Sequence, residues 1–494
     1  MAPVDIEDVW NMLGFGRMQL AVFFTCCVLQ MYITNEQLGL SVILVASACE
    51  LKIDNERMGW LIACVFFAQV LFGHFFGYLS DKIGRLKVLL STTIMTILSS
   101  FLSAFMPEYW SFLVLRCIVG IFITGIAVTL LTYLSEFISI ALRPKVHNFV
   151  NYAIGVSMIY VPVVALILMY SKIHVHVWEN YAITNWRVLI LVNLLPGIIG
   201  VCLLYRIPES PKYYLSVHKH AEAMAVLEKC CRANKGKNVT LASLGVEKVT
   251  QPRLSDYEIQ HNGFTSLWYD TVPLFKGEYL RYMILTSIST YILFGAGFGL
   301  TIWVLRIRFI SQQIVGNMIL CDLLDQSQNS NITLEQVCDI NLDSMMVSIV
   351  QACTTLTVLI IITILLLFLT RRTILLIFTL LGAFVGCLLN FVQLDAVIIA
   401  VFIMFIVLPL CCLRLAISIL IDLVPTHLRA KGVAVIFLVG RIGVMTSSLF
   451  VGYTLKFCCL GTFNAFVLGL LVAAIMIFLL PTEYYIKHRD DKNA

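Results

Sequence analysis

Twelve long apolar runs separated by short polar gaps lie along the chain, near residues 18–47, 58–79, 87–106, 109–137, 149–170, 187–205, 281–304, 345–369, 373–393, 395–424, 432–455 and 460–480. A helix needs about 20 predominantly apolar residues to cross a bilayer core, so each run predicts one membrane-spanning helix. The expected fold is an all-α multi-pass membrane protein. Composition agrees: of 494 residues 60% are hydrophobic and 13% charged, against roughly 25% charged in soluble domains. Asp5, Glu7 and Asp8 precede the first run, which is too long for the apolar region of a cleaved leader, so it is expected to remain as the first span.

Lys82, Arg85, Lys87, Arg143, Lys145, Arg371, Arg372, Arg429 and Lys431 all fall in alternate short gaps. Positive loops stay cytoplasmic, which places those gaps and both termini on the cytoplasmic side. Residues 206–280 hold ten of the 34 Lys/Arg and eight acids, and read as a cytoplasmic connector between six-span halves at 1–205 and 281–494. One amphipathic helix is expected in it, over 219–233. The 305–344 loop carries five acids and reads as luminal or extracellular. In that oxidising setting Cys321 and Cys338 are a disulfide candidate, and Asn331, in Asn331-Ile332-Thr333, a glycosylation candidate. The net charge of +5 is spread among gaps rather than gathered in a patch, which argues against nucleic-acid binding. The expected partners are the lipid bilayer and a small organic solute, with protons as an open option. No Cys/His spacing suggests a metal, and no cofactor is expected.

The polar gap at 77–87, GYLSDKIGRLK, is the most informative stretch. Gly77 is expected where two helices approach closely, with Gly84 in the turn. Asp81 and Arg85 beside helix ends can form a breakable ionic latch with Glu136 and Arg143. The halves repeat at one offset: Arg85, Glu136, Arg143 and Lys145 shifted by 286 fall on Arg371, Asp422, Arg429 and Lys431. Asp422 and Arg429 thus stand as the second half's latch pair. Parallel six-helix repeats around a mid-membrane site are the architecture of alternating access. In the second half TRRT, residues 370–373, replaces the Asp and both Gly, leaving cations without a local carboxylate.

The 77–87 gap resembles the signature loop of the major facilitator superfamily of transporters. Further segments resemble the synaptic vesicle glycoprotein 2 and synaptic vesicle 2-related branch, akin to organic cation and anion transporters. They are LGFGRMQL at 13–20, RCIVG at 116–120, YLSEF at 133–137, WRVLILV at 186–192, FGLTIWV at 298–304 and, most specifically, the connector from Arg206 through Pro-Glu-Ser-Pro to Gly236. The resemblance implies the major facilitator fold, two pseudo-symmetric six-helix bundles. It covers nearly the whole chain, more weakly over the last five spans. The 305–344 loop is much shorter than in the synaptic vesicle glycoproteins, and a role specific to synaptic vesicles does not follow.

Ionisable groups inside spans are costly and need a partner or a cavity. Glu36, near the middle of the first span, can bind an organic cation or take up a coupling proton; a buried acid paired with an arginine is the structural alternative. Arg116, matching the span-four arginine of the resembled family, is its most natural partner. Arg414 and Arg441 are two unbalanced cations of the second half, which suit an anionic or zwitterionic solute, unless they snorkel or bond carbonyls. Tyr291, Phe298 and Trp303 can line an aromatic site, although aromatics are also ordinary at membrane interfaces. Gly295, Gly297 and Gly299 make the seventh span easy to bend. An enzyme is not expected, because no nucleophile–base set or phosphate loop is present. Two functions remain: a secondary transporter of a small organic solute, charged or neutral, by alternating access, with proton coupling open, or a transport-deficient relative with a binding, trafficking or receptor role. Either would sit in the plasma membrane or an intracellular vesicle membrane.

Overall fold

The computed structural model describes residues 4–140, 142–171, 174–178, 181–250, 272–311, 319–322, 342–424 and 428–481. Among them, twelve helices are long and apolar enough to cross a membrane: Arg17–Ser47, Asn55–Ile83, Arg85–Ser103, Tyr109–Glu136, Lys145–Leu168, Asn185–Leu204, Tyr279–Gly299, Met345–Leu365, Arg371–Leu388, Ala396–Leu420, Lys431–Thr454 and Cys459–Phe478. Each corresponds to one apolar run. The second span runs past its apolar stretch to Ile83, with Lys82 in a last turn that favours cations. It stops at Gly84, whose φ of 113° no L side chain adopts comfortably. Most of the sequence gap at 77–87 is therefore helix, with a single-residue break.

The chain divides into two compact units. The first comprises Met1–Gln37, Leu71–Ser157 and Arg187–Asp256; the second comprises Leu38–Val70, Met158–Trp186 and Tyr257–Ala494. In the first, a short helix Ile6–Leu13 precedes the first span, capped by the Asp5 carboxylate, which accepts from the Glu7 N–H at 3.1 Å. Its positions Ile6, Val9, Trp10 and Leu13 follow helical spacing and are buried in one core with Ala223, Leu227, Cys230 and Cys231 of the connector helix His220–Lys235. That helix lies where the charge pattern placed it. Val4–Asp5 pairs in parallel with Val249–Thr250, so the connector up to Thr250 folds back on the start of the chain. Within the spans of this unit, close fit replaces hydrophobic drive, since lipid is as apolar as the helix surfaces. Tyr32, fully buried, lies against the bare backbone of Gly197 in the sixth span, where an added Cβ would come within 2.9 Å of its ring.

In the second unit the seventh span loosens into a π-helical turn at Gly295–Gly299. Such turns widen a helix by one residue and often mark functional positions. Gly297 packs there against Leu410 of the tenth span, whose Cα is 2.8 Å from where a Cβ would stand. Pro409 lies inside that tenth helix beside the contact. The bond that Cys321 makes differs from the expected one. Cys321 bonds to Cys459, at the start of the twelfth span, across 138 residues and a Cα separation of 5.5 Å. Cys338 lies outside the described residues, as does Asn331. Closeness along one loop says little about which thiols meet; here the helix start, not the loop, brings the partner.

Candidate functional site

Three charged groupings lie inside the helical bundle. The first joins Glu36 of the first span, Ser100 of the third and Arg116 of the fourth. Glu36 Oε2 is 2.8 Å from Arg116 Nη1, and the Ser100 hydroxyl donates to the same carboxylate at 2.8 and 3.0 Å from its two oxygens. Glu36 is 4% exposed and Arg116 1%. The Arg116 guanidinium also stands over the Phe112 ring, 5.1 Å from its centre, while its Nε and Nη2 are buried without hydrogen-bond partners. One residue earlier, Asn35 Oδ1 accepts from Ser157 of the fifth span at 2.5 Å. The first span's helix ends at Gln37 and resumes at Leu40, so the pair sits just before a break in the backbone. Ser100 is one turn from the end of its helix at Ser103 and Arg116 two turns from the start of its own at Tyr109. Glu36 is near the middle of Arg17–Ser47, as expected, while Ser100 is close to the end of its own helix.

The second grouping is at the opposite ends of those helices. Arg85 contacts Asp81, one turn back across Gly84, at 2.8 Å and Glu136 at the end of the fourth span at 3.1 Å. It ties the second, third and fourth spans together. Arg143 was expected in this set and is not part of it. It donates instead to Glu7 at 2.6 Å and to the carbonyls of Ser135 and Ile138. The fourth helix ends in free carbonyls, which accept from the Arg143 guanidinium. Gly77 also differs from expectation: a Cβ there would meet Val128 at an ordinary 3.8 Å, so close approach does not require glycine.

Sequence alone did not point to the group that seats this ion cluster. Glu209, of the Pro-Glu-Ser-Pro turn, accepts from the Leu86 N–H with both carboxylate oxygens, at 2.9 and 3.1 Å. It caps the third span from outside the helix. The Tyr213 hydroxyl donates to the Lys82 carbonyl at 3.2 Å, its ring lies under Arg85, and the Tyr133 hydroxyl donates to the Pro208 carbonyl. Lys212 and Arg143 both reach Glu7 on the N-terminal helix. Burial pushes the Glu7 carboxyl up, but the two cations outweigh it and hold it below the usual carboxylate range. Burial pushes Lys212 down despite Glu7, so the pair's net benefit is carried by the carboxylate. A depressed carboxyl stabilises fully above its unfolded value and loses that contribution as pH falls through its folded one. Hydrogen-exchange protection at Ile6–Leu13, taken relative to the unfolded-chain rate at the same pH, should therefore be high at neutral pH and fall on acidification below the carboxylate range; in Glu7→Gln it should already be low at neutral pH. Equal protection in both proteins would remove this docking role.

The third grouping is in the second unit. Arg414 of the tenth span stands over the Phe437 ring of the eleventh at 5.7 Å, and Phe437 meets Phe294, which is stacked on Phe298 at 5.6 Å. Arg441, one turn beyond Phe437, makes a single long bond of 3.4 Å to the Gln69 carbonyl. The expected aromatic set is dispersed. Trp303 is fully buried, and Tyr291 bonds Thr446 at 2.6 Å, so only Phe298 joins the arginine cluster. Arg371 donates to Ser418 at 2.6 Å, and Arg372 to the carbonyls of Ile477 and Phe478. The side chains of Asp422 and Arg429 lie outside those described.

Residues 20–320 match the model of the Major Facilitator Superfamily. The chain belongs to that superfamily. It is a family of transporters rather than of enzymes, and the protein is an integral, multi-pass membrane protein. The synaptic vesicle glycoprotein 2B of Rattus norvegicus is 26% identical over 319 residues, 60% of this chain and 46% of that protein. The synaptic vesicle glycoprotein 2C of Mus musculus is 29% identical over 258 residues, 52% of this chain and 36% of that protein. The chain thus matches less than half the length of these relatives. In fold it is similar to the xylose transporter XylE from E. coli, with a TM-score of 0.63, 16% identity, and 94% of this chain and 100% of that one covered. That likeness shows the major facilitator fold, in agreement with the twelve helices.

Proposed function

We propose that the protein is a secondary active transporter, moving a small organic solute by alternating access, with Glu36 as the proton-linked group. The observation that supports this most is the fully buried Glu36–Arg116 pair, whose arginine keeps two unused donors. A proton on Glu36 removes the charge that holds Arg116, and the freed guanidinium must find other acceptors or water. Occupancy by one proton thereby changes which partners the first, third and fourth spans share. In this reading halves 1–205 and 281–494 rock about a central site, joined by 206–280, and the Arg85–Asp81–Glu136 set holds helix ends together in one of the two states. The cation-bearing gaps and both termini face the cytoplasm, in the plasma membrane or a vesicle membrane, and Asn331 is a luminal or extracellular glycosylation acceptor.

A fold kept for binding or trafficking is the second reading, favoured by the loss of the Asp and both Gly at 370–373. Uptake of a mixed metabolite library into proteoliposomes, with and without an inward proton gradient, separates the two. The expected result is gradient-dependent accumulation that Glu36→Gln abolishes or uncouples. No uptake by folded, correctly oriented protein would favour the second reading; uptake by Glu36→Gln with unchanged pH dependence would remove the coupling role.

A further inference from the structure

The second unit holds two cations in spans without visible compensation. Arg414 is six residues from the end of its span at Leu420, and Arg441 ten from the start of its own at Lys431. At 1.5 Å per residue these are depths of about 9 and 15 Å, well inside a hydrocarbon core. Among the described residues no carboxylate lies within ion-pair distance of either arginine. Both residues are half-buried, with part of their surface still accessible. Arg441 has the one long bond to the Gln69 carbonyl, and the Gln69 carboxamide nitrogen, in a residue 1% exposed, has no partner either. Next to these donors stand three aromatic rings, Phe437, Phe294 and Phe298, with Arg414 already against one ring face.

We propose that Arg414, Arg441 and Gln69 receive the anionic group of the transported solute, and that Phe437 with the Phe294–Phe298 stack receives its flat apolar body. The solute class is an aromatic organic anion, a carboxylate or sulfonate on a ring. The charge argument is direct. An intramembrane guanidinium without a counter-ion is costly, and a planar oxyanion offers it two parallel charge-assisted bonds. A cationic solute would add a third positive charge to the site. A neutral polyol would leave both charges unpaired and find aromatic faces where it needs acceptors. The Arg414 guanidinium stands over the Phe437 ring at 5.7 Å, an attraction that leaves its N–H donors to a ligand. This inference rests on the transporter reading only for the word transported; the site itself is testable by binding.

The test is equilibrium binding to the full chain in lipid nanodiscs, with radiolabelled benzoate and naphthalene-2-sulfonate against benzamide and benzylamine. Both anions should bind and displace each other, while benzamide and benzylamine compete at least tenfold more weakly. Arg414→Gln and Arg441→Gln should each weaken anion binding by about tenfold or more, the loss of one charge-assisted bond, and Arg→Lys at either position should lose less. The comparison of anion with amine on the unaltered protein requires no variant to fold. Equal or tighter binding of benzylamine, or benzoate binding unchanged in both Gln variants, overturns the proposal, as does binding of none of the four. Anion binding without uptake would keep this site and count against the transporter reading; uptake of cations alone would do the reverse.

Discussion

Arg116→Ala is expected to lower folding stability by about 3–5 kcal/mol, the usual result of leaving a buried charge unpaired. The carboxylate of Glu36 would retain only the Ser100 hydroxyl at 2.8 Å, in surroundings where Glu36 is 4% exposed. Glu36→Leu should cost a similar amount, because Arg116 would then have three unmatched donor nitrogens instead of the two it has already. The double variant Glu36→Leu/Arg116→Met removes both charges and should return to within about 2 kcal/mol of the parent. Thermal unfolding of the detergent-solubilised protein measures all three. Additive losses in the double variant would show that the two side chains do not act as a pair. The stability result also bears on transport: a double variant that folds well but moves nothing would separate coupling from packing.

Gly84→Ala should cost about 3 kcal/mol or more, from two sources. At φ 113° and ψ 148° the backbone is in a region almost restricted to glycine, worth about 1–3 kcal/mol of strain for alanine. The new Cβ would also run into the Glu209 carboxylate and come within 3.2 Å of Tyr213. Glu209 would have to leave the Leu86 N–H, forfeiting a charge-assisted bond of about 1.5–3 kcal/mol. In a Glu209→Ala background only the strain remains, so the same glycine substitution should cost clearly less there. Proteolysis near Arg206–Ser216 and unfolding temperature read both effects. An equal penalty with and without Glu209 would mean that the connector does not press on this turn.

The latch region shows why some of the site was legible and some not. Asp81 and Arg85 are opposite charges four residues apart in one short polar gap, near enough in sequence to suggest contact, although Gly84 breaks the helix between them. Glu136 could be suspected because its repeat mate Asp422 has the same position relative to a loop cation. Glu209 could not, since it reaches Leu86 across 123 residues through a turn whose direction no periodicity encodes. Glu7 was visible as an acid before the first span, but the pairing with Arg143 and Lys212 depends on the N-terminal helix folding under the bundle. The Cys321–Cys459 bond has the same origin: chain proximity favoured another partner.

Twelve apolar runs of bilayer length and the 286-residue offset were enough to predict twelve spans in two six-span halves, and the 77–87 loop carried the resemblance to the major facilitator superfamily. These are properties of composition and spacing, which the bilayer reads directly because every backbone polar group within it must be satisfied inside a helix. The capping of the third span by Glu209, the docking of Glu7 on Arg143 and Lys212, the π-turn that carries Phe298 and the contact of Arg414 with Phe437 came from the folded chain. Which side chain meets which across helices depends on their rotation and depth, and those follow from packing among small and bulky residues far apart in sequence.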